Sequence, residues 1–412
     1  MNSYLIFILA VIIGTYVLEI VSELLNLKHI SPVLPDEFNG WYDADKYKSS
    51  QLYLEKNTAL DLVNKTFFTI AILVFILAGG FNSVDLIARS FGFGPIFTGL
   101  IFTGIMVAAY QILDLPFSVY DTFVIEKKFG FNKTTPGTFI LDIIKSALIG
   151  ALIGGLVYGC VLWFFERFET WAWLYCWTAV TAIQIFILFL APVVIFPLFN
   201  KFSPLPEGEL KTAVEKYASA QGFRMKGLFT MDGSKRSTKS NAFFTGFGKF
   251  RRIVLFDTLI EKHTVEELVA VLAHEMGHYK MKHIFKNIIA AIILSGSIFY
   301  ILSLFINNPG LFQAFQMEKT SIYASLLFFG FIYSPVSLVL GIFGNVVSRK
   351  HEYEADEFSV KTGNNPEALI TALKKLSVDN LSNLTPHPVL VLLKYSHPPV
   401  IERIEKMRKR IE

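Results

Sequence analysis

The sequence TWAWLYCWTAVTAIQIFILFLAPVVIFPLFN, residues 170–200, contains no Asp, Glu, Lys or Arg. About 20 apolar residues in a helix cross the hydrocarbon core of a bilayer, so this stretch is long enough to span one. Further uncharged stretches of at least 18 residues lie at 1–18, 66–84, 90–113, 146–165, 287–317 and 320–348. The sequence therefore predicts an all-α polytopic membrane protein with seven transmembrane helices.

The composition excludes several classes of protein. Charged residues make up 17% of the chain and hydrophobic residues 53%, whereas a soluble domain carries about 25% charged residues. Cys160 and Cys176 both fall in uncharged stretches and offer neither a disulfide framework nor a thiolate metal cluster. The first predicted helix, from Tyr4 to near Val21, lacks a basic leading region and a small-residue cleavage site, so we expect it to be retained.

Lys and Arg are concentrated in alternate loops. Residues 201–283 contain fourteen and the chain after residue 348 contains eleven, whereas the loops near residues 89, 167 and 319 contain one each. By the positive-inside rule the N-terminus faces outward, and the two basic segments share the cytoplasmic side. We expect a multi-pass monomer of the endoplasmic reticulum or a bacterial inner membrane, in contact with the lipid bilayer and with no nucleic acid partner.

These patterns divide the chain into four parts. Residues 1–200 hold helices 1 to 5 and a cytoplasmic segment at 22–65 that caps the membrane face. Residues 201–283 form a cytoplasmic segment, 284–347 hold helices 6 and 7, and 348–412 form a C-terminal segment.

The segment 201–283 has the composition of a soluble α+β unit. Residues 241–245 and 250–256 are rich in β-forming side chains and flank GFGK at 246–249, which predicts a β-hairpin. Thr264 and Glu267 then form a capping-box pattern, so a helix should begin there.

That helix contains His274-Glu275-Met276-Gly277-His278, the HExxH pattern. Residues i and i+4 lie on one face of a helix about one turn apart, so both imidazoles can bind one Zn²⁺ ion. Glu275 follows the first histidine and can act as the general base. The motif predicts a small zinc-protease domain at the membrane surface.

A catalytic zinc site needs a third protein ligand. The sequence SRKHEYEAD, residues 348–356, follows the last uncharged stretch and carries Glu352 and Asp356 one helical turn apart. One of these carboxylates can bind the metal while the other hydrogen-bonds a ligating histidine. The charge distribution supports their meeting with the HExxH helix, because it assigns both segments to one side of the membrane.

Other candidates near the motif are interpreted differently. A metzincin would have a glycine at position 281 and a histidine at 284, so Met281 and Ile284 exclude that class. His283 has the wrong spacing for a ligand and is interpreted as an interfacial side chain, and His351 as a structural residue.

The chain resembles the Ste24 type of CAAX prenyl protease, which belongs to the M48 zinc metalloproteases. The resemblance is carried by HExxH, by S-R-x-x-E-x-x-A-D at 348–356, by the seven uncharged stretches, and by SHPP at 396–399 followed by Glu402 and Arg403. It extends over essentially the whole chain. The implied fold is a hollow barrel of seven helices around an aqueous chamber.

The resemblance also implies roles for individual residues. One Zn²⁺ per chain would be held by His274, His278 and Glu352, with Glu275 as the base. Asp356 would then be the carboxylate behind the ligands.

Three further roles follow from the same resemblance. A substrate strand would pair beside Asn241, Ala242 and Phe243. His397 would stabilise the oxyanion, although its position before two prolines also suits a helix cap. Arg403 would lie near the same site as a further catalytic residue, although the basic run that follows it suits a solvated helix end.

The sequence thus predicts an integral-membrane zinc metalloendopeptidase that acts on a peptide or protein substrate, with CAAX-type C-terminal processing of prenylated peptides. An M48 quality-control protease with no prenyl requirement would use the same residues and stays open as an alternative. A site-2-type intramembrane protease is disfavoured because charged residues flank the HExxH motif. A structural metal in a transporter is disfavoured because no fourth ligand is evident.

Overall fold

The computed structural model describes residues 2–223, 227–245, 252–363 and 365–411. The helices are α1 (Ser3–Lys28), α2 (Ala44–Leu77), α3 (Gly80–Ser90), α4 (Pro95–Tyr120), α5 (Pro136–Phe168), α6 (Ala172–Leu190), α7 (Phe196–Phe199), α8 (Glu209–Ala220), α9 (Asp257–Lys262), α10 (Val265–Lys280), α11 (His283–Ser303), α12 (Pro309–Ala314), α13 (Ile322–Thr362), α14 (Pro366–Asp379), α15 (Pro388–Lys394) and α16 (Val400–Ile411). The strands are β1 (Phe202–Pro204), β2 (Gly227–Met231), β3 (Ala242–Thr245) and β4 (Arg252–Phe256).

Within the described residues, six helical segments are long and apolar enough to cross a membrane: Ser3–Lys28, Ala44–Leu77, Pro95–Glu126, Pro136–Phe199, His283–Ser303 and Ile322–Thr362. The 64-residue segment Pro136–Phe199 contains both α5 and α6. The backbone turns between these helices at Glu169, where φ is +38°. The fold is therefore that of a multi-pass helical membrane protein. The number of candidate spans is six when α5 and α6 are counted as one segment and seven, as predicted, when they are counted separately.

The long apolar helices pack in a closed series. α1 packs on α2, α2 on α4, α4 on α5, α5 on α6, α6 on α11 and α11 on α13, and α13 returns to α1. Polar contacts support this order, since Trp177 Nε1 on α6 donates to the Ile292 carbonyl on α11 at 2.9 Å. In the most apolar window of each span only 6 to 17% of residues are buried inside the protein. Most of the apolar surface of these helices therefore lies outside the protein core.

Two of the uncharged stretches contain a change of direction between helices. Residues 66–84 include the end of α2 and the start of α3, which are separated at Gly79 with φ +69°. Residues 287–317 likewise include both α11 and the short α12. Phe81 of α3 packs edge-on against Phe315, which follows α12, and Phe315 stacks on Phe328 of α13. These aromatic contacts hold the short helices against one end of the long ones.

The first two helices extend well beyond their uncharged stretches. α1 continues to Lys28 instead of ending near Val21, and α2 begins at Ala44, inside the segment predicted as a polar cap. The polar ends are buried against the C-terminal part of the chain, where Asn26 Oδ1 accepts from the His387 backbone at 3.1 Å. The uncharged stretches predict only the part of a helix that lies in the membrane. The backbone hydrogen bonds of the helix can continue beyond that part into charged sequence.

Residues 202–256 include a four-stranded sheet with the order β1-β2-β4-β3 in its described part. The predicted hairpin strands correspond to β3 and β4, which pair antiparallel with Ala242 opposite Leu255. The predicted turn at 246–249 lies outside the described residues. The sequence did not predict β1 and β2; β2 runs parallel to β4 and antiparallel to β1.

The sheet is attached to the membrane helices and to α10. Arg236 makes two hydrogen bonds to the Asp142 carboxylate on α5, at 2.8 and 2.9 Å, and one to Asn200 Oδ1 at 2.9 Å. On the other side, Ile253 and Leu255 of β4 share a buried cluster with the apolar face of α10. The sheet therefore fixes α10 relative to the end of the membrane helices.

α10 begins with the predicted capping box. Thr264 Oγ1 accepts a hydrogen bond from the Glu267 amide, and Glu267 Oε2 accepts one from the Thr264 amide at 2.9 Å. Glu267 is buried and also pairs with Lys375 on α14 at 2.7 Å. These contacts satisfy backbone donors that a helix otherwise leaves free in its first turn.

We expect Thr264→Ala to destabilise the first turn of α10 by about 1 kcal/mol, because it removes the hydroxyl that caps the helix. Amide exchange in this turn should accelerate about fivefold when followed by hydrogen-deuterium exchange and mass spectrometry. Thr264→Ser keeps the hydroxyl and is the matched control. Equal exchange in the alanine variant and the wild type would show that the capping box does not determine the start of α10.

Candidate metal centre

α10 and α13 approach each other closely at a glycine. A Cβ atom built on Gly277 would lie 3.0 Å from Ala355 Cα and 3.2 Å from the Ala355 carbonyl oxygen. One turn further along α13 and two turns back along α10, Ser359 Oγ donates to the Ala270 carbonyl at 2.9 Å. This contact brings the HExxH helix against the helix that carries Glu352.

Three candidate ligands converge where the two helices meet. His274 and His278 lie on consecutive turns of α10, and their Nε2 atoms are 3.2 Å apart. Glu352 Oε1 is 3.2 Å from His278 Nε2, and Glu352 Oε2 is 3.4 Å from His274 Nε2. Two imidazole nitrogens and a carboxylate are a ligand set of catalytic zinc sites. The group has the spacing to hold a metal ion.

The geometry of this group fits a metal. Ligands at about 2.0–2.2 Å from a tetrahedral zinc ion lie about 3.3–3.6 Å from one another, close to the three distances above. Glu352 Oε2 is buried and, among the described residues, accepts no hydrogen bond. A buried carboxylate oxygen that accepts no hydrogen bond is costly, and a cation at the centre of the group would satisfy it.

Asp356 and Arg403 lie directly behind the group. Asp356 Oδ1 is 2.8 Å from His274 Nδ1, the nitrogen that points away from Glu352. Arg403 on α16 donates to both Asp356 oxygens, from Nε at 2.8 Å and from Nη2 at 2.6 Å. Its Nη1 is 3.6 Å from Glu352 Oε2. The arginine thus holds Asp356 in the orientation that directs His274 Nε2 at the metal position.

Burial raises the pKa of Glu275; His274, His278 and Arg403 oppose the rise, and Glu352 adds to it. A raised pKa brings a carboxylate toward the range in which a general base works best. Burial lowers the pKa of His274, but the Asp356 and Glu352 carboxylates outweigh this and raise it to about 9.

The segment before α16 reaches the same group. His397 Nε2 is 3.5 Å from Glu352 Oε1, and 66% of its side chain is exposed. Arg349 on α13 secures this segment by donating from Nη1 to the carbonyls of Val391 and Tyr395, at 3.0 and 2.6 Å. His397 therefore lies on the solvent-facing side of the metal group.

The predicted substrate segment lies at the edge of the sheet. Ala242 and Phe243 are in β3, which packs beside α10. Asn241 precedes the strand, is exposed, and accepts a backbone hydrogen bond from Phe256 at 3.1 Å. In the described part of the sheet β3 pairs with β4 alone, so its other edge offers backbone groups with which an extended peptide can pair.

The interpretation of His283 as an interfacial side chain is wrong. His283 is 2% exposed, and its Nδ1 is 3.0 Å from His278 Nδ1. Its Nε2 is 2.8 Å from Glu354 Oε2, and its ring stacks on His351. The chain reverses at Lys282, which has φ +59°, and this turn brings α11 back against α10. Its partner Glu354 is 71 residues away in the sequence, so no local pattern pointed to this contact.

Two family models match the chain in succession. The model described as "CAAX prenyl protease N-terminal, five membrane helices" matches residues 23–201, and "Peptidase family M48" matches residues 204–411. The second match contains every residue of the metal group. The chain belongs to peptidase family M48.

This M48 peptidase is similar to proteins named for CAAX processing. It is 36% identical over 399 residues to the CAAX prenyl protease 1 homolog of Arabidopsis thaliana, which covers 94% of both chains. It is 33% identical to the CAAX prenyl protease 1 homolog of Homo sapiens, over 91% of this chain and 88% of that one. The crystal structure of S. mikatae Ste24p matches with a TM-score of 0.92 and 30% identity over 99% of each chain. The resemblance to the Ste24 type is confirmed, and the chain is a metallopeptidase of the membrane.

We expect Gly277→Ala to weaken metal binding about tenfold or more. The added Cβ meets backbone atoms of α13, and overpacking of this kind costs about 1–3 kcal/mol, which separates Glu352 from the two histidines. Competition with a fluorescent chelator measures the affinity directly. Stability is a poorer measure, because alanine also raises helix propensity.

The matched control is Gly150→Ala on α5, where a new Cβ would meet no described atom within 4 Å. It should bind metal as the wild type does. Unchanged affinity in Gly277→Ala would show that the contact between α10 and α13 does not set the ligand geometry.

Proposed function

We propose that this M48 peptidase is a zinc metalloendopeptidase with one ion per chain, bound by His274, His278 and Glu352. The observation that carries the proposal is the convergence of two imidazole nitrogens and a buried carboxylate oxygen at distances close to the edges of a tetrahedron. Three protein ligands leave a fourth position for water, as in other catalytic zinc sites.

The side chains around this position each carry out a different step of peptide hydrolysis. A bound zinc ion supplies polarisation of the scissile carbonyl and lowers the pKa of water toward about 7. Glu275 takes a proton from the attacking water and delivers it to the leaving amine, so the C–N bond breaks with a neutral amine as product. His397 donates a hydrogen bond to the oxyanion of the tetrahedral intermediate, a contact worth about 3–4 kcal/mol.

Asp356 and Arg403 position the ligands. Asp356 accepts a hydrogen bond from His274 Nδ1, which keeps Nε2 free for the metal. Arg403, predicted from the resemblance as a catalytic residue, is 8% exposed and directs its charge at Asp356 and Glu352. We therefore assign it a positioning role.

The substrate backbone pairs with the free edge of β3, beside Asn241, Ala242 and Phe243. An added strand at this edge runs alongside α10, where the HExxH motif lies. Backbone pairing supplies affinity for an extended peptide with few demands on its side chains.

The proposed substrate is a prenylated protein with a C-terminal CAAX sequence, because the relatives at 33 to 36% identity carry the name CAAX prenyl protease 1. The proposed topology has seven spans, with α5 and α6 crossing separately, in a hollow barrel whose catalytic side is cytoplasmic. The concentration of Lys and Arg in 201–283 and after 348 supports this orientation. A quality-control peptidase without a prenyl requirement is the alternative, and the same residues would serve it.

Glu275→Gln should reduce peptide cleavage by about 10²–10⁴-fold, because the amide cannot take up the proton. Zinc content, measured by mass spectrometry of the purified protein, should stay near one per chain. Glu352→Ala should instead lose the metal. Glu357→Gln changes a partly exposed carboxylate on the same helix that pairs with Lys361, and it should keep both properties.

Two results would contradict the assignment. Cleavage by Glu275→Gln at the wild-type rate would remove Glu275 as the base. Wild-type zinc content in Glu352→Ala would remove Glu352 from the ligands.

A farnesylated CAAX peptide should be cleaved with a kcat/KM about tenfold or more above that of the same peptide without the lipid. Burial of even two methylene groups of the farnesyl chain supplies about 1.6 kcal/mol. An S-octyl peptide of the same sequence controls for partition into detergent. Equal rates for all three peptides would support the quality-control alternative.

A further inference from the structure

A second cluster of polar side chains lies directly behind His278. It consists of His283 at the start of α11 and of His351 and Glu354 on α13. His283 Nδ1 is 3.0 Å from His278 Nδ1, and His283 Nε2 is 2.8 Å from Glu354 Oε2. His283 and His351 are 2% and 8% exposed. The general chemistry of peptide hydrolysis assigns no part to these three residues.

The cluster has the composition of a second metal site, since His283, His351 and Glu354 each offer a ligand atom within a short distance. The ring geometry argues against that reading. His283 and His351 stack with centroids 3.9 Å apart and planes 11° from parallel. The lone pair of an imidazole nitrogen lies in its ring plane, so stacked rings direct their lone pairs along parallel lines. They do not converge on one ion at about 2.0–2.1 Å.

Hydrogen bonding accounts for the same distances. If His278 binds a metal through Nε2, its proton must be on Nδ1, because one nitrogen of a neutral imidazole is the donor and the other the acceptor. That Nδ1 faces His283 Nδ1, which must then be the acceptor. The proton of His283 is consequently on Nε2, facing Glu354 Oε2. Each nitrogen of His278 and His283 is then either a hydrogen-bond donor, a hydrogen-bond acceptor or a metal ligand.

The opposite tautomers are incompatible with metal binding. If His283 Nδ1 donated to His278, the proton of His278 would be on Nε2, which faces Glu352 Oε1 at 3.2 Å. No lone pair would then be available toward the metal position. The orientation of one hydrogen bond between two histidines thus decides whether His278 can act as a ligand.

We propose that His283 and Glu354 are positioning residues that form a relay of hydrogen bonds, from the Glu354 carboxylate through His283 to His278, and so hold His278 in its metal-binding tautomer. The inference rests on the proposed zinc site. Glu354 draws the proton of His283 to Nε2, which makes His283 Nδ1 a stronger acceptor for His278. The stacked ring of His351 holds the ring of His283 in an orientation in which its two nitrogens face His278 and Glu354.

α13 therefore supports the two histidine ligands in different ways. Asp356 reaches His274 directly at 2.8 Å. Glu354 is on another side of the same helix and reaches His278 only through the ring of His283, which α11 supplies. Partners of this kind tune metal affinity by about 10 to 100-fold.

The test measures zinc affinity in the full-length protein in detergent, by competition with a chelator of known affinity. We expect His283→Leu and Glu354→Leu each to weaken zinc binding by about 10 to 100-fold. Glu354→Gln keeps an oxygen that can accept from His283 and should lose less. Glu357→Leu changes a carboxylate on the same helix that pairs with Lys361, and it should bind zinc as the wild type does.

The double variant separates a relay from a general packing effect. Because Glu354 acts only through His283, the double variant His283→Leu with Glu354→Leu should bind zinc no more weakly than His283→Leu alone. Two independent structural roles would give losses that multiply. Multiplying losses, or unchanged affinity in a folded His283→Leu, would overturn the relay. If His283→Leu does not fold, equal affinities of Glu354→Leu, Glu354→Gln and the wild type would overturn it.

Zinc stoichiometry tests the second metal site. His351→Phe keeps the stacked ring and removes both nitrogens, so the relay predicts one zinc per chain before and after the change. Two zinc ions in the wild type and one in His351→Phe would overturn the proposal in favour of a second site.

The zinc stoichiometry of the wild type also distinguishes a failure of the proposed zinc site from a failure of the relay alone. If the wild type binds no zinc, or Glu352→Ala does not reduce binding, the proposed zinc site fails first. If the wild type binds one zinc that depends on Glu352 and the relay variants bind it equally well, the relay alone fails.

Discussion

The contact between α10 and α13 at Gly277 and Ala355 is the constraint on which the site depends. Neither helix contains all three candidate ligands, so the distance between the helices determines whether they can hold a metal ion together. The third candidate ligand, Glu352, is on α13, so a shift of α13 relative to α10 changes its distance to the two histidines of α10. The buried apolar cluster between the sheet and α10 and the hydrogen bond of Ser359 both act to maintain that distance.

The carboxylates of α13 give this contact its chemistry. Glu352, Glu354 and Asp356 occur within five residues, and each faces at least one histidine of the site. So many buried or partly buried acids would be costly without partners. Arg403 pairs with Asp356 and Glu352, and Lys350 approaches Glu354. Three carboxylates thus face two cationic side chains, and the net negative charge that remains favours a cation over a neutral ligand.

Sequence patterns predict those features that depend on residues close together in the chain. The capping box of α10, the two histidines one turn apart and the antiparallel pair β3 and β4 follow from spacing within a few residues. The extension of α1 to Lys28 does not, because the polar residues there are buried by distant segments of the chain. Gly277 occupies a variable position of the HExxH motif and has meaning only once α13 is in place. His283 is recognisable as a neighbour of the site only after the reversal at Lys282 is known.

α13 runs as one helix from the membrane stretch into the metal group. Ser348 ends its uncharged stretch, and Glu352 follows about 6 Å along the helix axis, at 1.5 Å per residue. The site is therefore at a constant depth relative to the bilayer and cannot move away from it without bending or tilting the helix. Bilayer thickness changes the tilt of spanning helices, so a change in thickness would also shift the metal group relative to the membrane surface. A substrate held in the same membrane would meet the reacting groups at a fixed height above its own anchor.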